Sequence, residues 1–463
     1  MNPSDTGYQS RRAFLKRSAA LGIAGSAMPF VTSLAAIGEA AAAVTTDYKA
    51  LVCVFLYGGN DYANTLPPYD QASYTLYQAA RSNIALARTA LDATVLTPLT
   101  ALAGGRQYAL APTLAPLLPI FNAGKMAVAL NVGSLVQPTT KAQYTAASVP
   151  LPPKLFSHND QQSFWQASNP EGATSGWGGR IGDLFQSGNG SSTLTCINAT
   201  GNAVFLTGKT AIQYSVGTGG PIALLGNGSS VFGSTTAAST LRTLMTAGQA
   251  NIFQNEHARV SKRALDTYAQ VNTALAGAPA ASFPLFPTPN SLADQLKIVA
   301  RLISVSSELG ARRQVFFVSL GGWDMHDALA TGHPTQTGLL ANAMKAFYDT
   351  TKALGVADKV TTFTASDFGR TLQSNDDGSD HGWGSMHFVM GDAVRGQRFY
   401  GTPPAVGNNT PDDVGQGRLL PTMAVDQYAS TLANWFGVSA GDMPTVLPNI
   451  GNYNASTWNL GFV

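Results

Sequence analysis

Ala50-Leu-Val-Cys-Val-Phe-Leu56, closed by Tyr57-Gly58-Gly59-Asn60-Asp61, is the stretch that decides the fold class. Seven apolar residues in a row, with no polar alternation, describe a strand buried on both faces. Such a strand needs a helical layer on each side, so the chain reads as α/β with a parallel-rich central sheet sandwiched by helices. Residues 126–132, 314–320, 359–364 and 386–390 repeat the pattern as further core strands. Helical spacing over 113–123, ending at Gly124, predicts a β, helix, β order around the second strand. More helices are expected over 237–275, 291–313 (after a Pro-rich break at 278–289), 337–354 and 426–436. Residues 187–236 turn to Gly, Ser and Thr with short apolar runs, which predicts a β-rich insertion or long loops.

The N-terminus carries Ser10-Arg11-Arg12-Ala13-Phe14-Leu15-Lys16, a twin-arginine export motif, then an Ala- and Gly-rich apolar stretch over 19–36 and small residues at 40–43. Residues 1–42 are therefore expected to be a signal peptide handed to the twin-arginine translocase, leaving one α/β domain over 43–463 in the periplasm or secreted. The apolar stretch suits a cleaved segment better than a permanent membrane span. Export in the folded state favours a protein loaded with a cofactor beforehand. Cleavage removes four of 28 basic and two of 26 acidic residues, leaving 24 of each. No basic stripe with interleaved aromatics remains, which argues against a nucleic-acid partner. Cys53 and Cys196 form no metal motif. Cys53 reads as a buried small hydrophobe, and pairing of the two is left open.

Only 12% of residues are charged, yet four of six histidines lie between Asp324 and His387 among several carboxylates. The strings are Gly-Gly-Trp-Asp-Met-His (321–326), Ala-Ser-Asp-Phe-Gly-Arg (365–370) and Gly-Ser-Asp-His-Gly-Trp-Gly (378–384). The first two follow core strands, where an open α/β sheet places its chemistry. Asp and His together suit a divalent metal, zinc foremost, with manganese, iron or calcium as alternatives. Candidate ligands are Asp324, His326, Asp367, Asp380, His381 and His387. Each has a plainer reading: Asp324 as a cap with His326 on the surface, Asp367 as the cap of a helix starting at Phe368, and His387 as a core histidine. Arg370 reads either as a clamp on an anionic substrate oxygen or as a partner for a nearby carboxylate.

With Leu-Tyr-Gly-Gly-Asn-Asp (56–61), Ser-His-Asn-Asp-Gln-Gln (157–162) and Leu-Pro-Thr-Met-Ala-Val-Asp-Gln-Tyr (420–428), these strings resemble the domain-of-unknown-function 1501 family over about 48–438. That family is similar, at longer range, to the alkaline phosphatase and sulfatase superfamily. The resemblance implies metals at strand ends, with Asp61 as the first metal-binding acid, Asp324 and His326 on one ion, Asp367 on another and His381 as the late histidine. Phe368 departs from the pattern, standing where alkaline phosphatases have a histidine, so that one ligand is either missing or replaced by Asp380 or His387. The superfamily's nucleophile falls in a stretch offering Ser134, Thr139, Thr140 and Ser157. Ser157 is the candidate, beside His158 as ligand, general acid or helix-entry hydrogen bonder. The implied activity is metal-dependent hydrolysis of a phosphate or sulfate ester in a small molecule or glycan. The alternative is a noncatalytic relative that binds a cell-envelope partner or polysaccharide.

Overall fold

The computed structural model describes residues 47–201, 203–224 and 230–463; the expected export segment, 1–42, lies outside them. The strands are β1 (Lys49–Leu56), β2 (Met126–Gly133), β3 (Cys196–Asn198), β4 (Gln213–Gly217), β5 (Gly220–Pro221), β6 (Arg313–Leu320), β7 (Val360–Ser366), β8 (Arg370–Ser374), β9 (Ser379–His381), β10 (Ser385–Met390), β11 (Arg398–Tyr400) and β12 (Met423–Ala424). The longer helices are α1 (Gln71–Ala80), α2 (His158–Ala167), α3 (Trp177–Phe185), α4 (Thr235–Thr246), α5 (Ile252–Ala276), α6 (Ser291–Ser304), α7 (Leu329–Ala353) and α8 (Val425–Phe436). The central sheet has ten strands in the order β11-β2-β10-β7-β1-β6-β3-β4-β5, with β12 paired to β2. β8 and β9 form a separate antiparallel hairpin.

β1 pairs in parallel with β6 on one side and β7 on the other. Its side chains alternate between two cores, as a strand's period of two demands. Val52, Val54 and Leu56 join Leu296 and Val299 of α6 and Met344 and Phe347 of α7. Leu51, Cys53 and Phe55 join Ile181 of α3 and Tyr428 and Leu432 of α8. The unbroken apolar run is thus the signature of a mixed α/β protein with a large, mostly parallel sheet between helical layers. Cys53 and Cys196 are buried and unpaired.

Several elements differ from their sequence expectation. Residues 113–123 form a 3-10 helix, Pro112–Leu117, and one short α-helix, Leu118–Asn122, because Pro116 and Pro119 interrupt a continuous helix. β10 runs antiparallel to both β2 and β7. The 237–275 pattern divides into α4 and α5, and α6 stops at Ser304. No helix starts at Phe368; the chain enters β8 instead. The Gly/Ser/Thr-rich stretch supplies β3 and β4, which extend the sheet in parallel beyond β6, and β5, antiparallel at the edge. Among the described residues no helix is long and apolar enough to cross a membrane.

Candidate metal centre

β1, β6 and β7 end in register, Leu56 opposite both Leu320 and Ser366, so the three following loops leave the sheet at one carboxyl edge. Gly58 makes their close approach feasible. It has φ +120°, and a Cβ there would lie 2.4 Å from the Asp324 backbone nitrogen. Its own N–H donates to Asp367 Oδ2 at 3.1 Å. The β8–β9 hairpin closes over the same edge, with Ser379 N–H donating to Met325 O at 3.1 Å. α2 arrives from the opposite layer with His158 as its first residue.

Four side chains meet there. His381 Nε2 lies 3.1 Å from His158 Nε2 and 2.9 Å from His326 Nε2. Asp324 reaches all three rings: Oδ2 is 3.3 Å from His158 Nε2, and Oδ1 is 3.1 Å from His326 Nε2 and 3.3 Å from His381 Nε2. Ligand atoms of His158, Asp324 and His381 all fall within 4.8 Å of one another.

The far side of each ring determines what this convergence means. His158 Nδ1 is 2.7 Å from Asp367 Oδ2, His326 Nδ1 is 3.2 Å from Asp380 Oδ1, and His381 Nδ1 is 2.7 Å from the Phe156 carbonyl oxygen. A carbonyl or ionised carboxylate can only accept, so each Nδ1 carries the proton and donates. In the neutral rings three Nε2 lone pairs then face one another and a carboxylate, with no hydrogen to share. A cation would satisfy His158, Asp324 and His381 together, with His326 alongside His381 and Asp324. Ligands at the 2.0–2.2 Å of a tetrahedral zinc site would stand about 3.3 Å apart, close to the observed spacing. The donor set therefore fits a zinc-type ion, with orienting acceptors behind every imidazole.

Charge is distributed to match. The Asp367 hydrogen bond raises the His158 pKa against the opposing effect of burial, whereas burial lowers that of His381. Burial works against ionisation of Asp324, but the Arg370 hydrogen bond overcomes it and holds the carboxyl below its usual range. Arg370 is fully buried and donates to Asp324 Oδ1 at 2.6 Å, to Gly58 O at 3.1 Å, to Ser379 Oγ at 3.3 Å and to the Ser379 carbonyl. Of its two readings the structure has carboxylate pairing, not a free clamp.

The other candidates sit elsewhere. Asp61 is not brought to the cluster: it is buried, caps the short helix Tyr62–Thr65 by accepting from Ala63 N at 3.2 Å, and pairs with fully buried Arg81, which satisfies its charge. His387 is a core residue, its ring 4.9 Å from that of Trp165 and its Nδ1 3.3 Å from Thr364 Oγ1; burial pushes its pKa down to about 3. Asp367 and Asp380 stand behind histidines, and Asp367 caps no helix. The Ser157 hydroxyl donates to Asp160 Oδ2 at 2.9 Å. Ser134 donates to Gln161, Thr139 to Gln137 O, and Thr140 caps Lys141–Thr145. Sequence reasoning missed Phe368 as a wall of the site. Its ring lies 4.8 Å from those of both His158 and His381.

Comparison with known proteins places the chain in a family. No curated protein matches it. Among solved structures it is similar to the lipoteichoic acid synthase LtaP from Listeria monocytogenes, at 10% identity and TM-score 0.34 over 88% of this chain and 76% of that one. It is also similar to Ps i-CgsB in complex with k-i-k-neocarrahexaose, at 9% identity and TM-score 0.35 over 89% and 78%. Residues 48–442 match the family described as Protein of unknown function (DUF1501), a span holding the whole sheet and all four converging side chains, and the chain belongs to that family.

Proposed function

We propose that this chain is a metal-dependent hydrolase of phosphate or sulfate esters, acting in the periplasm or outside the cell after twin-arginine export. The observation that carries the metal is the meeting of His158, Asp324 and His381, whose ligand atoms all lie within 4.8 Å of one another, with His326 Nε2 2.9 Å from His381 Nε2. His158, Asp324, His326 and His381 would hold the ion, zinc by its donor set. Such an ion supplies Lewis acidity toward an ester oxygen and a lowered pKa for water. Arg370 positions Asp324, while Asp367, Asp380 and the Phe156 carbonyl keep the three rings in the ligating tautomer. His326 and Asp324 are solvent-exposed, which leaves an open approach for substrate. The ester class rests on the motif resemblance; the Ser157 hydroxyl donates to Asp160 and to none of the four side chains, and in this reading the attacking group is water.

Ser134, Thr139, Thr140 and Ser157 all bond elsewhere, which favours one competing reading, a noncatalytic module that keeps the metal for stability and binds an envelope or polysaccharide partner. Elemental analysis and turnover of aryl phosphates and aryl sulfates separate the two. The hydrolase reading expects about one ion per chain, turnover abolished by chelation and restored by zinc, and turnover retained in Ser157→Ala. Metal without turnover would leave the module; protein that binds no metal removes both.

A further inference from the structure

β11 is the last strand at one end of the sheet, and an open cavity of about 600 Å³ lies where it begins, lined by Thr100, Arg395, Arg398 and Tyr400 among others. Both charged residues on that lining are arginines. Strand alternation sets Arg398 and Tyr400 on one face, while Phe399 turns to the other and packs on Tyr108 and Phe121. The Tyr400 hydroxyl donates to Arg395 O at 2.9 Å, which ties Arg395 to the same spot. Burial raises the Tyr400 pKa, and the influences opposing it are the Arg398 and Arg395 guanidinium groups. Both cations therefore act on one phenol.

Among the described residues neither guanidinium pairs with a carboxylate, whereas Arg81, Arg313 and Arg370 each hold an acid. Arg398 donates to the Thr100 hydroxyl at 3.2 Å. The acid nearest in sequence, Asp392, is committed elsewhere, accepting from Tyr348 Oη at 2.7 Å and from Lys352 Nζ at 3.0 Å. Two neighbouring guanidinium groups repel each other unless an anion lies between them, and their planar forks match the oxygens of a sulfate or phosphate group. A cavity of this volume has room for more than one such group, so the anion belongs to a larger, sugar-sized molecule. The place is remote from the metal centre. β2 and β11 run in the direction of β1, since β10 is antiparallel to both β2 and β7. Gly124 and Arg395, just before those two strands, thus lie at the amino edge of the sheet, and the eight residues of β1 span about 26 Å between the two edges.

We propose that this cavity is a second binding site, in which Arg395 and Arg398 hold the sulfate or phosphate group of a sugar-sized ligand. Binding there needs neither the metal nor hydrolysis. A fluorescein-labelled sulfated hexasaccharide, followed by fluorescence anisotropy with inorganic sulfate and phosphate as competitors, tests it. Arg395→Ala and Arg398→Ala should each weaken binding about tenfold or more, with circular dichroism unchanged. Arg398→Lys should recover part of the loss, because it keeps the charge without the fork. Asp324→Asn, at the metal centre, should bind as wild type does, so that failure of the hydrolase reading would leave this result standing. Displacement by millimolar inorganic sulfate would show that the oxyanion alone is recognised; displacement only by unlabelled hexasaccharide would add the sugar to what is recognised, and either outcome upholds the site. No saturable binding by wild type overturns it. So does a loss in the two alanine variants no greater than in Arg259→Ala, an exposed arginine elsewhere, which would mean unspecific charge attraction. Binding lost in Asp324→Asn but kept in both arginine variants would give the anion to the metal centre and also overturns the proposal.

Discussion

At the scale of single residues, the centre depends on groups that need never touch an ion. Asp380 accepts from His326 Nδ1 and is itself held by Asn375 Nδ2 at 2.9 Å. Asp380→Ala should weaken zinc binding about 10- to 100-fold, because the ring loses its fixed tautomer and orientation. Titration against a competing chelator reads this directly, and an unchanged affinity would remove Asp380 from the site. Gly378 tests the packing of the hairpin onto the loop after β6. A Cβ at Gly378 would lie 2.2 Å from the His326 carbonyl carbon, a backbone atom with no flexible end to move. Gly378→Ala should therefore destabilise the fold by about 1–3 kcal/mol and weaken metal binding as His326 is displaced. Wild-type Tm and metal content in that variant would show that the hairpin docks more loosely than the structure has it.

At the scale of elements, α8 and β10 hold buried ionisable groups with opposite pH signatures. Burial pushes Asp426 in α8 up to about 7, although it accepts from Ser168 Oγ and Asn449 N, both at 3.2 Å. Its folded pKa lies above its unfolded one, so between about pH 4 and 7 the native state binds more protons and stability falls as pH rises. The loss is on the order of 4 kcal/mol by pH 8. His387 in β10 acts in the opposite sense: with a folded pKa of about 3, it costs stability as pH falls below about 6.5. Asp426→Asn should gain stability relative to wild type as pH is raised from 5 to 8, measured by denaturant unfolding at each pH. A pH-independent difference between the two proteins would refute a neutral Asp426.

At the scale of the whole molecule, an ion held by His158, Asp324, His326 and His381 ties α2, the loop after β6 and the β8–β9 hairpin into one unit. Because those ligands meet only in the folded chain, binding free energy becomes folding free energy. At a free zinc concentration about 1,000 times Kd the gain is about 4 kcal/mol. Chelation should then lower Tm by several degrees, and Asp324→Asn should lose most of that difference. Equal Tm with and without chelator in the wild type would indicate that the four side chains hold no ion in solution.

What the sequence determined by itself was the architecture and the address of the candidate site. Residues 50–56 have only one comfortable environment, a strand covered on both faces, and that environment implies the layered sheet. Asp324 and His326 directly after a core strand were legible for the same reason, chain punctuation being local; His381, read as part of a Gly-rich loop, ends β9 instead. Which groups would meet was not legible. His158 and Asp367 are 209 positions apart and His158 and His381 are 223, so no spacing rule connects them. Asp61 matched a ligand pattern, but the fold set Arg81 against it; His387 matched too, and the fold enclosed it beside Trp165. The direction of β10 was equally hidden, since a short strand pattern over 386–390 reads the same both ways. Local chemistry sets what each residue can do, whereas partner, burial and distance are fixed only when strands and helices far apart in the chain pack together.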